Sequence, residues 1–327
     1  MNISIAMTTY NGEQFLQEQL DSLAAQTELP LELVIGDDGS TDQTLQILES
    51  FAKSALFPVK IQKNANRIGY ADNFLFTASR CGGDWITFCD QDDVWLPNKL
   101  ERIRDLVHKN PEADLIITGI VCTDALLRPM SYDPPLGWPV RAITSLHSPS
   151  LKTFQGNRMA FKRSLLDDYP WQSRPANADG FRLAHDRWVG AIGLLFGNRC
   201  FSAEHLTLYR RHDSALTFGQ VLPAVTALRN VRRGAKSVLV NETRIWSDLS
   251  AYFQGEAKEQ SEHNADRFQK ASHLCGRISK LYAKRTQIFT QTSRIQKVQF
   301  LLDLFLMGAL KEFGPRNLVK DVIEAIS

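Results

Sequence analysis

Three carboxylates fall within four residues at Asp90-Gln91-Asp92-Asp93, directly after the apolar run Trp85 to Cys89. Like charges this close repel one another unless something positive sits among them, and a divalent cation carrying a diphosphate is the simplest candidate. Oxygen donors suit Mg²⁺ or Mn²⁺, and Mg²⁺ takes one or two protein carboxylates while phosphates and water complete its shell. A solvated acidic turn has the same composition. The triplet therefore has to be weighed with its neighbours.

Two more polar clusters follow strand-like runs: Thr8-Thr9-Tyr10-Asn11-Gly12 after Ile3 to Met7, and Gly36-Asp37-Asp38-Gly39-Ser40-Thr41-Asp42 after Leu31 to Ile35. Each alone is ordinary turn chemistry. Together with the triplet they make three polar strand ends on one rim of one sheet. A nucleotide-sugar donor needs such groups: a flat partner for its base at Tyr10, and an acceptor for a pyrimidine N3–H at Asp38. Its ribose hydroxyls need a carboxylate such as Asp90, and its diphosphate a metal held by Asp92.

The elements that would position these residues alternate. Phe15, Leu16, Leu20, Leu23 and Ala24 fall at helical spacing, and so do Leu45, Leu48 and Phe51 behind the capping candidates Ser40-Thr41-Asp42. Val59 to Gln62, a helix from Tyr70 to Arg80, Trp85 to Cys89, a helix from Pro97 to Lys109, and Leu115 to Val121 continue the series. This order predicts an α/β fold, a Rossmann-like, mostly parallel sheet with helices on both faces. Such sheets bind ligands beyond the carboxyl ends of their strands, at the topological switch point.

From Asp124 to Lys152 the pattern dissolves into Pro- and Ser-containing sequence around Pro134-Pro135-Leu136-Gly137-Trp138-Pro139, which reads either as an acceptor-side flap or as a surface excursion. Order returns at Gly156-Asn157-Arg158-Met159-Ala160-Phe161 and at His185-Asp186-Arg187-Trp188, which opens an apolar helix through Leu195. After Tyr209-Arg210-Arg211-His212 the texture becomes helical and charged. The expected division is a catalytic domain over residues 1–218 and a helical region over 219–327.

Composition narrows the partners. The 327 residues are 43% hydrophobic, and 38 basic against 36 acidic side chains leave a net charge of +2, so no global field recruits nucleic acid. Five scattered cysteines without a Cys-x-x-Cys pair fit reduced thiols in a cytosolic compartment. The N-terminus reads as a first strand and not as a signal peptide, and no apolar stretch is long enough to span a membrane. Gly-x-Gly-x-x-Gly after the first strand and Gly-Lys-Ser/Thr are both missing, which excludes a dehydrogenase and a P-loop enzyme.

The motif set Ala6 to Gly12, Ile35 to Asp42, Asn66-Arg67-Ile68-Gly69, Asp90 to Trp95 and His185-Asp186 resembles the inverting, GT-A-type glycosyltransferases of family 2, in particular the rhamnosyltransferase-like bacterial branch. The resemblance covers about residues 2 to 215. It implies that Thr8, Tyr10 and Asn11 lie at the nucleotide, Asp38 at the base, and Asn66, Arg67 and Gly69 near ribose and diphosphate. It makes Asp90 a donor-side carboxylate and Asp92 the metal ligand, and has Asp93 orient neighbours or the sugar. Asp186 becomes the general base, with His185 its positional neighbour. Tyr209-Arg210-Arg211-His212 resembles a segment whose histidine closes over metal and diphosphate. Arg210 and Arg211 carry donor forks suited to phosphate, or else form a solvated basic turn.

The resemblance implies a metal-dependent transferase, with Mg²⁺ or Mn²⁺ as cofactor, that moves one sugar from dTDP-rhamnose or a UDP-sugar to a cell-surface polysaccharide or lipid-linked glycan. The expected location is cytoplasmic, with the inner face of the membrane open as a peripheral site. Two features depart from the family pattern. Gln-x-x-Arg-Trp, the mark of processive synthases, is missing, which argues for one sugar per encounter, and Gly36 stands where an apolar or acidic residue is usual. A sugar-1-phosphate nucleotidyltransferase would want a Gly-rich basic loop in place of Thr8 to Gly12. A non-catalytic nucleotide-sugar-binding protein is the other alternative.

Near the C-terminus, Val298, Leu301, Leu302, Phe305, Leu306, Ala309, Leu310 and Phe313, widened by Leu304 and Met307, make a broad apolar helix face before Gly314-Pro315. Two readings are open: packing on the catalytic domain or on a sister subunit in a homo-oligomer, or interfacial contact near lipid-linked acceptors, aided by Arg294, Lys297 and Lys311. Asp303 speaks against deep insertion.

Overall fold

A computed structural model describes residues 1–133, 151, 154–176, 182–213, 224–259, 262–290 and 293–307. The expected alternation appears as β1 (Ile3–Thr9), α1 (Leu16–Ala24), β2 (Glu32–Asp37), α2 (Thr44–Ser54), β3 (Val59–Lys63), α3 (Tyr70–Ala78), β4 (Trp85–Cys89), a two-residue β5 (Val94–Trp95), α4 (Lys99–Lys109) and β6 (Leu115–Thr123). Every residue of β1, β2 and β4 is buried, as parallel strands covered on both faces require. Ile5 and Met7 pack with Leu16, Leu20 and Leu23 of α1 in the core. Burying side chains of this size stabilises the fold by about 1.5–3 kcal/mol each.

Strand order across the sheet is β3-β2-β1-β4-β8-β6-β9-β5, where β8 is Met159–Lys162 and β9 is Arg199–Arg210. The four strands β3-β2-β1-β4 are parallel, as is the pair β6 and β9. The sheet as a whole is mixed, because β8 runs antiparallel to both β4 and β6, and β5 antiparallel to β9. From β1 the chain builds outwards to β2 and β3 on one side and to β4 on the other, so the switch point lies at the carboxyl end of β1. Met7 is in register with Ile35 and with Cys89, which puts Thr8, Asp37 and Asp90 on one rim.

The expected loop after Asp124 starts with a hairpin. The Asp124 carboxylate accepts N–H bonds from Leu126 and Arg128, both at 3.0 Å, and β7 (Pro129–Asp133) returns along β6 with Tyr132 opposite Val121. Pro134 to Pro139 lie outside the described residues. Two short helices, α5 (Ser164–Asp168) and α6 (His185–Leu195), complete this unit.

A second unit contains α7 (Ala224–Glu259), α8 (Glu262–Thr290) and α9 (Arg294–Leu306), with Leu151, residues 174–176 and residues 182–183. The α7–α8 pair is antiparallel: Ser250 and Ser272 exchange hydroxyl-to-carbonyl bonds of 2.8 Å, and the Ser279 hydroxyl reaches the Thr243 carbonyl. Trp246, Leu249, Phe253, Cys275, Ile278 and Leu281 fill the space between them. The apolar face of α9 is split. Leu301 and Leu304 are buried, whereas Ile295, Val298, Leu302 and Leu306 are exposed. Phe305's side chain and Ala309, Leu310, Lys311, Phe313, Gly314 and Pro315 lie outside the described residues. Among the described residues no helix is long and apolar enough to cross a membrane.

All five cysteines are unpaired, and only Cys122 is partly exposed.

Candidate active site

Two adjacent carboxylates at the end of β2 divide their work. Asp37 is fully committed to the fold: its Oδ1 accepts the Gly39 and Ser40 N–H groups, and its Oδ2 accepts the Thr9 and Ser40 hydroxyls. Asp38 points the other way. Its Oδ1 accepts the Asn64 amide at 3.0 Å and the Ile68 N–H at 2.8 Å, and its Oδ2 accepts the Gly69 N–H at 2.8 Å. A carboxylate offers about four acceptor positions, so one remains on Oδ2 for a base N–H.

These bonds hold the loop that carries Asn66, Arg67 and Gly69. Gly69 adopts φ +83° immediately before α3, a conformation that favours glycine. Asn66 is exposed, and the asparagine that touches Asp38 is Asn64, which the sequence did not single out. Asn64 also donates to Asn73 of α3, which in turn donates to the Gly36 carbonyl at 2.7 Å. A Cβ on Gly36 would lie 2.4 Å from Asn73 Oδ1 and 2.2 Å from Thr77 Oγ1. The departure at Gly36 thus lets α3 come close enough to brace Asp38.

Tyr10 is fixed by Gln91, the middle residue of Asp90-Gln91-Asp92. The Tyr10 N–H donates to Gln91 Oε1 at 2.9 Å and Gln91 Nε2 donates back to the Tyr10 carbonyl. The Arg67 guanidinium lies 3.8 Å from the centre of the Tyr10 ring. Thr8 is buried in register with Gly36. Asn11 differs from expectation. At φ +46° its N–H donates to Ser40 Oγ and its Oδ1 accepts the Thr41 N–H at 2.8 Å, so its side chain staples two loops.

The acidic strand end is where electrostatics is most unusual. Burial pushes the Asp90 carboxyl well above the usual range, and repulsion from Asp93, Asp92 and Asp186 adds to it. Asp93 is pushed up to about 7 by burial and then by Asp92, against the opposing pull of the Asn157 amide and the Arg210 N–H. Those two donors lie 2.8 and 3.1 Å from its oxygens. Beneath the cluster is Lys99, wholly buried, which sequence reasoning passed over as a helix-start residue. Its ammonium donates to the Asn157 carbonyl at 2.7 Å and to Thr207 Oγ1 at 2.9 Å, and lies 3.7 Å from the Trp95 ring centre. Burial brings it down to about 7, opposed by electrostatic interaction with Cys89, Asp93 and Asp90.

Strand β9 delivers Arg210, Arg211 and His212 to the same place. Arg210 is not the phosphate fork suggested by its sequence. Its Nε, Nη1 and Nη2 donate to the Asp92 carbonyl, the Ala125 carbonyl and the Glu18 carboxylate at 2.8, 2.7 and 2.5 Å, leaving the group buried as a rivet. The Arg211 N–H extends the ladder to the Thr123 carbonyl and its side chain is half-buried. His212 packs against Phe15, and its Nε2 lies 2.9 Å from Asp92 Oδ2.

Asp186 occupies the first turn of α6, where a negative charge is favoured by the helix dipole. Burial raises its carboxyl to about 6, with Arg187 and the backbone N–H groups of Arg187 and Gly156 pulling downwards. Its neighbour His185 meets Phe88 of β4 edge-on with centroids 4.8 Å apart, so the first turn of α6 packs beside the strand that ends at Asp90, whose carboxyl the Asp186 charge helps to raise. His185 is a packing residue: its ring stacks on Phe74 with centroids 4.1 Å apart and meets Phe88 edge-on. Gly156 leaves it room, since a Cβ there would lie 2.7 Å from His185 Nε2.

The donor atoms suit a divalent cation of the Mg²⁺ or Mn²⁺ kind. Asp92 Oδ2 and His212 Nε2, which are hydrogen-bonded to each other at 2.9 Å, are the oxygen and imidazole-nitrogen donors that could turn to such an ion. Among the described residues no three His, Cys, Asp or Glu side chains are grouped so as to hold a metal ion.

The family description "Glycosyl transferase family 2" matches residues 4–170. An uncharacterized protein of Mycobacterium tuberculosis is 32% identical over 219 residues, covering 64% of this chain and 59% of that protein. The dTDP-rhamnosyl transferase RfbG of Shigella flexneri is 37% identical over 109 residues, covering 32% of this chain and 38% of RfbG. The crystal structure of S. aureus TarS 1-349 in complex with UDP-GlcNAc matches at a TM-score of 0.57 and 18% identity, over 88% of this chain and 86% of that one. At that identity the last likeness concerns the fold alone.

Proposed function

Because the chain belongs to glycosyl transferase family 2, we propose that it moves a single sugar, with inversion at the anomeric carbon, from a pyrimidine nucleoside-diphosphate donor to a glycan acceptor. The observation that carries this reading is the packing of the first turn of α6, which bears Asp186, against β4 through His185 and Phe88, although 96 residues separate Asp186 from Asp90 at the end of that strand. A carboxylate near 6 is ionised at neutral pH and still basic enough to take a hydroxyl proton in the transition state.

In this mechanism Tyr10 presents a flat face to the base, Asp38 accepts its N3–H, and Asp90 accepts ribose hydroxyls. Asp186 takes the proton of the acceptor hydroxyl as that oxygen forms its bond to the anomeric carbon and the bond to the diphosphate breaks. Asp92 and His212 would hold a divalent cation, which when bound stabilises charge on the departing diphosphate. Asn157, Lys99 and Arg210 keep the loop that bears Asp92 in place.

The likeness to a dTDP-rhamnosyl transferase supports dTDP-rhamnose as donor, with UDP-sugars as the other choice, since Asp38 serves thymine and uracil alike. The acceptor we infer is a cell-surface polysaccharide precursor or lipid-linked glycan at the inner face of the cytoplasmic membrane. The exposed apolar residues of α9 are in keeping with contact there or with a second copy of the chain. Thermal unfolding with dTDP, UDP and GDP, with and without Mn²⁺, tests the reading, followed by transfer assays with dTDP-rhamnose and UDP-hexoses. dTDP and UDP should raise the midpoint more with Mn²⁺ than without. An equal response to GDP defeats the pyrimidine assignment, and no response to any nucleotide defeats the whole.

A further inference from the structure

The two groups assigned to the base, the Tyr10 ring and the open acceptor position of Asp38, are both addressed by one other side chain. Arg67 lays its guanidinium 3.8 Å from the Tyr10 ring centre, and its Nε lies 4.0 Å from Asp38 Oδ2, the oxygen with a position to spare. A guanidinium is planar, stacks on aromatic faces and presents N–H donors in its plane, as a pyrimidine presents N3–H from its ring. The side chain is 61% exposed, so its hold on Asp38 is weak and readily exchanged. Its backbone is not free to leave, because the next two residues, Ile68 and Gly69, donate to the same carboxylate.

We propose that Arg67 is a surrogate for the donor's base: guanidinium and pyrimidine compete for one place, and the displaced guanidinium is then delivered to the diphosphate. This rests on the donor reading above and deepens it. The backbone anchors the start of the swing, so the charge moves only within reach of the same donor molecule. Base entry thereby releases the cation that the diphosphate needs. A nucleoside alone must displace Arg67 without offering it a new anionic partner, and an isolated diphosphate must draw it off Tyr10 with nothing to take its place. The site thus favours ligands that carry both parts.

Calorimetric titration of the wild-type chain and of Arg67→Ala with uridine, thymidine, UDP and dTDP, all with Mn²⁺, tests this. Arg67→Ala frees the Tyr10 ring of its exposed stacking partner, so nucleosides should bind about two- to fivefold tighter. The same variant has no guanidinium to donate to phosphate, and nucleoside diphosphates should bind about tenfold or more weakly. Tyr10→Leu should remove the nucleoside gain when combined with Arg67→Ala. If Arg67→Ala weakens nucleosides, or leaves them unchanged while UDP weakens, Arg67 is a plain phosphate or base contact and the surrogate idea is wrong. Wild-type chain that binds neither UDP nor dTDP overturns the donor reading itself, a result distinct from the former. Circular dichroism of the variants guards against misfolding, and Arg67→Lys, which keeps charge without the planar fork, should retain part of the diphosphate affinity but show the nucleoside gain.

Discussion

His212 Nε2 lies 2.9 Å from Asp92 Oδ2 although 120 positions separate the two residues. The contact is made by strand geometry. The twelve-residue β9 runs parallel to β6 through two register shifts, from Arg199 opposite Leu115 to Arg210 opposite Thr123, and at its end the Arg210 N–H and Nε bind Asp93 and the Asp92 carbonyl, so the imidazole arrives opposite the carboxylate.

His212→Ala should therefore weaken use of the divalent cation without unfolding the chain. We expect kcat/KM to fall on the order of 100-fold, with a higher Mn²⁺ concentration for half-maximal rate, and Asp92→Asn to fall further. Mn²⁺ titrations of initial rate check this. Identical half-maximal concentrations for His212→Ala and wild type would remove His212 from the metal site.

The pH profile follows from Asp186. Its carboxyl is raised from 3.8 to about 6 by burial, and only the ionised form accepts a proton. Activity should thus rise with pH through a break near 6 and level off above it, and a bound cation would draw the break lower, not higher. Asp186→Asn should cost about 10²–10⁴ in kcat with the acid limb gone. Full activity in that variant would place the base elsewhere.

Gly36→Ala tests the bracing of Asp38. Its Cβ would enter the space of Thr77 Oγ1 and Asn73 Oδ1, and Asn73 cannot turn aside without releasing Asn64 and the Gly36 carbonyl. A loss of about 1–3 kcal/mol in unfolding free energy is expected, together with weaker binding of pyrimidine nucleotides. Urea denaturation and UDP titration measure both. Wild-type values for both would show that the contact yields freely.

How far the sequence reached depends on the range of the forces involved. The four parallel strands were legible in part because Ile3 to Met7, Leu31 to Ile35 and Trp85 to Cys89 are predominantly apolar runs, each broken by one polar residue (Ser4, Glu32, Thr87), of the length that buried strands need. The placement of Tyr10, Asp38 and Asp92 just beyond the ends of neighbouring strands was legible, because each follows a run read as a strand. Arg210 was misread, since its partners Glu18, Ala125 and the Asp92 carbonyl are brought to it by folding, Glu18 from 192 positions away. Lys99 was missed for a related reason: a lysine at a helix start looks like solvent-facing charge until Trp95, Asn157 and Thr207 close over it. Gln91 stood between two aspartates and drew no notice, yet its amide sets the height of Tyr10.

The buried thiols have a chemical corollary. Burial pushes Cys81 and Cys275 up to about 12, Cys200 to about 11 and Cys89 well above its ordinary value, so at neutral pH these sulfurs are neither ionised nor reachable by alkylating reagents. Cys89 is the residue immediately before Asp90. Its modification would report the parting of that strand from its neighbours, and a nucleotide lodged on the rim would slow the reaction, making one native sulfur a clock for occupancy.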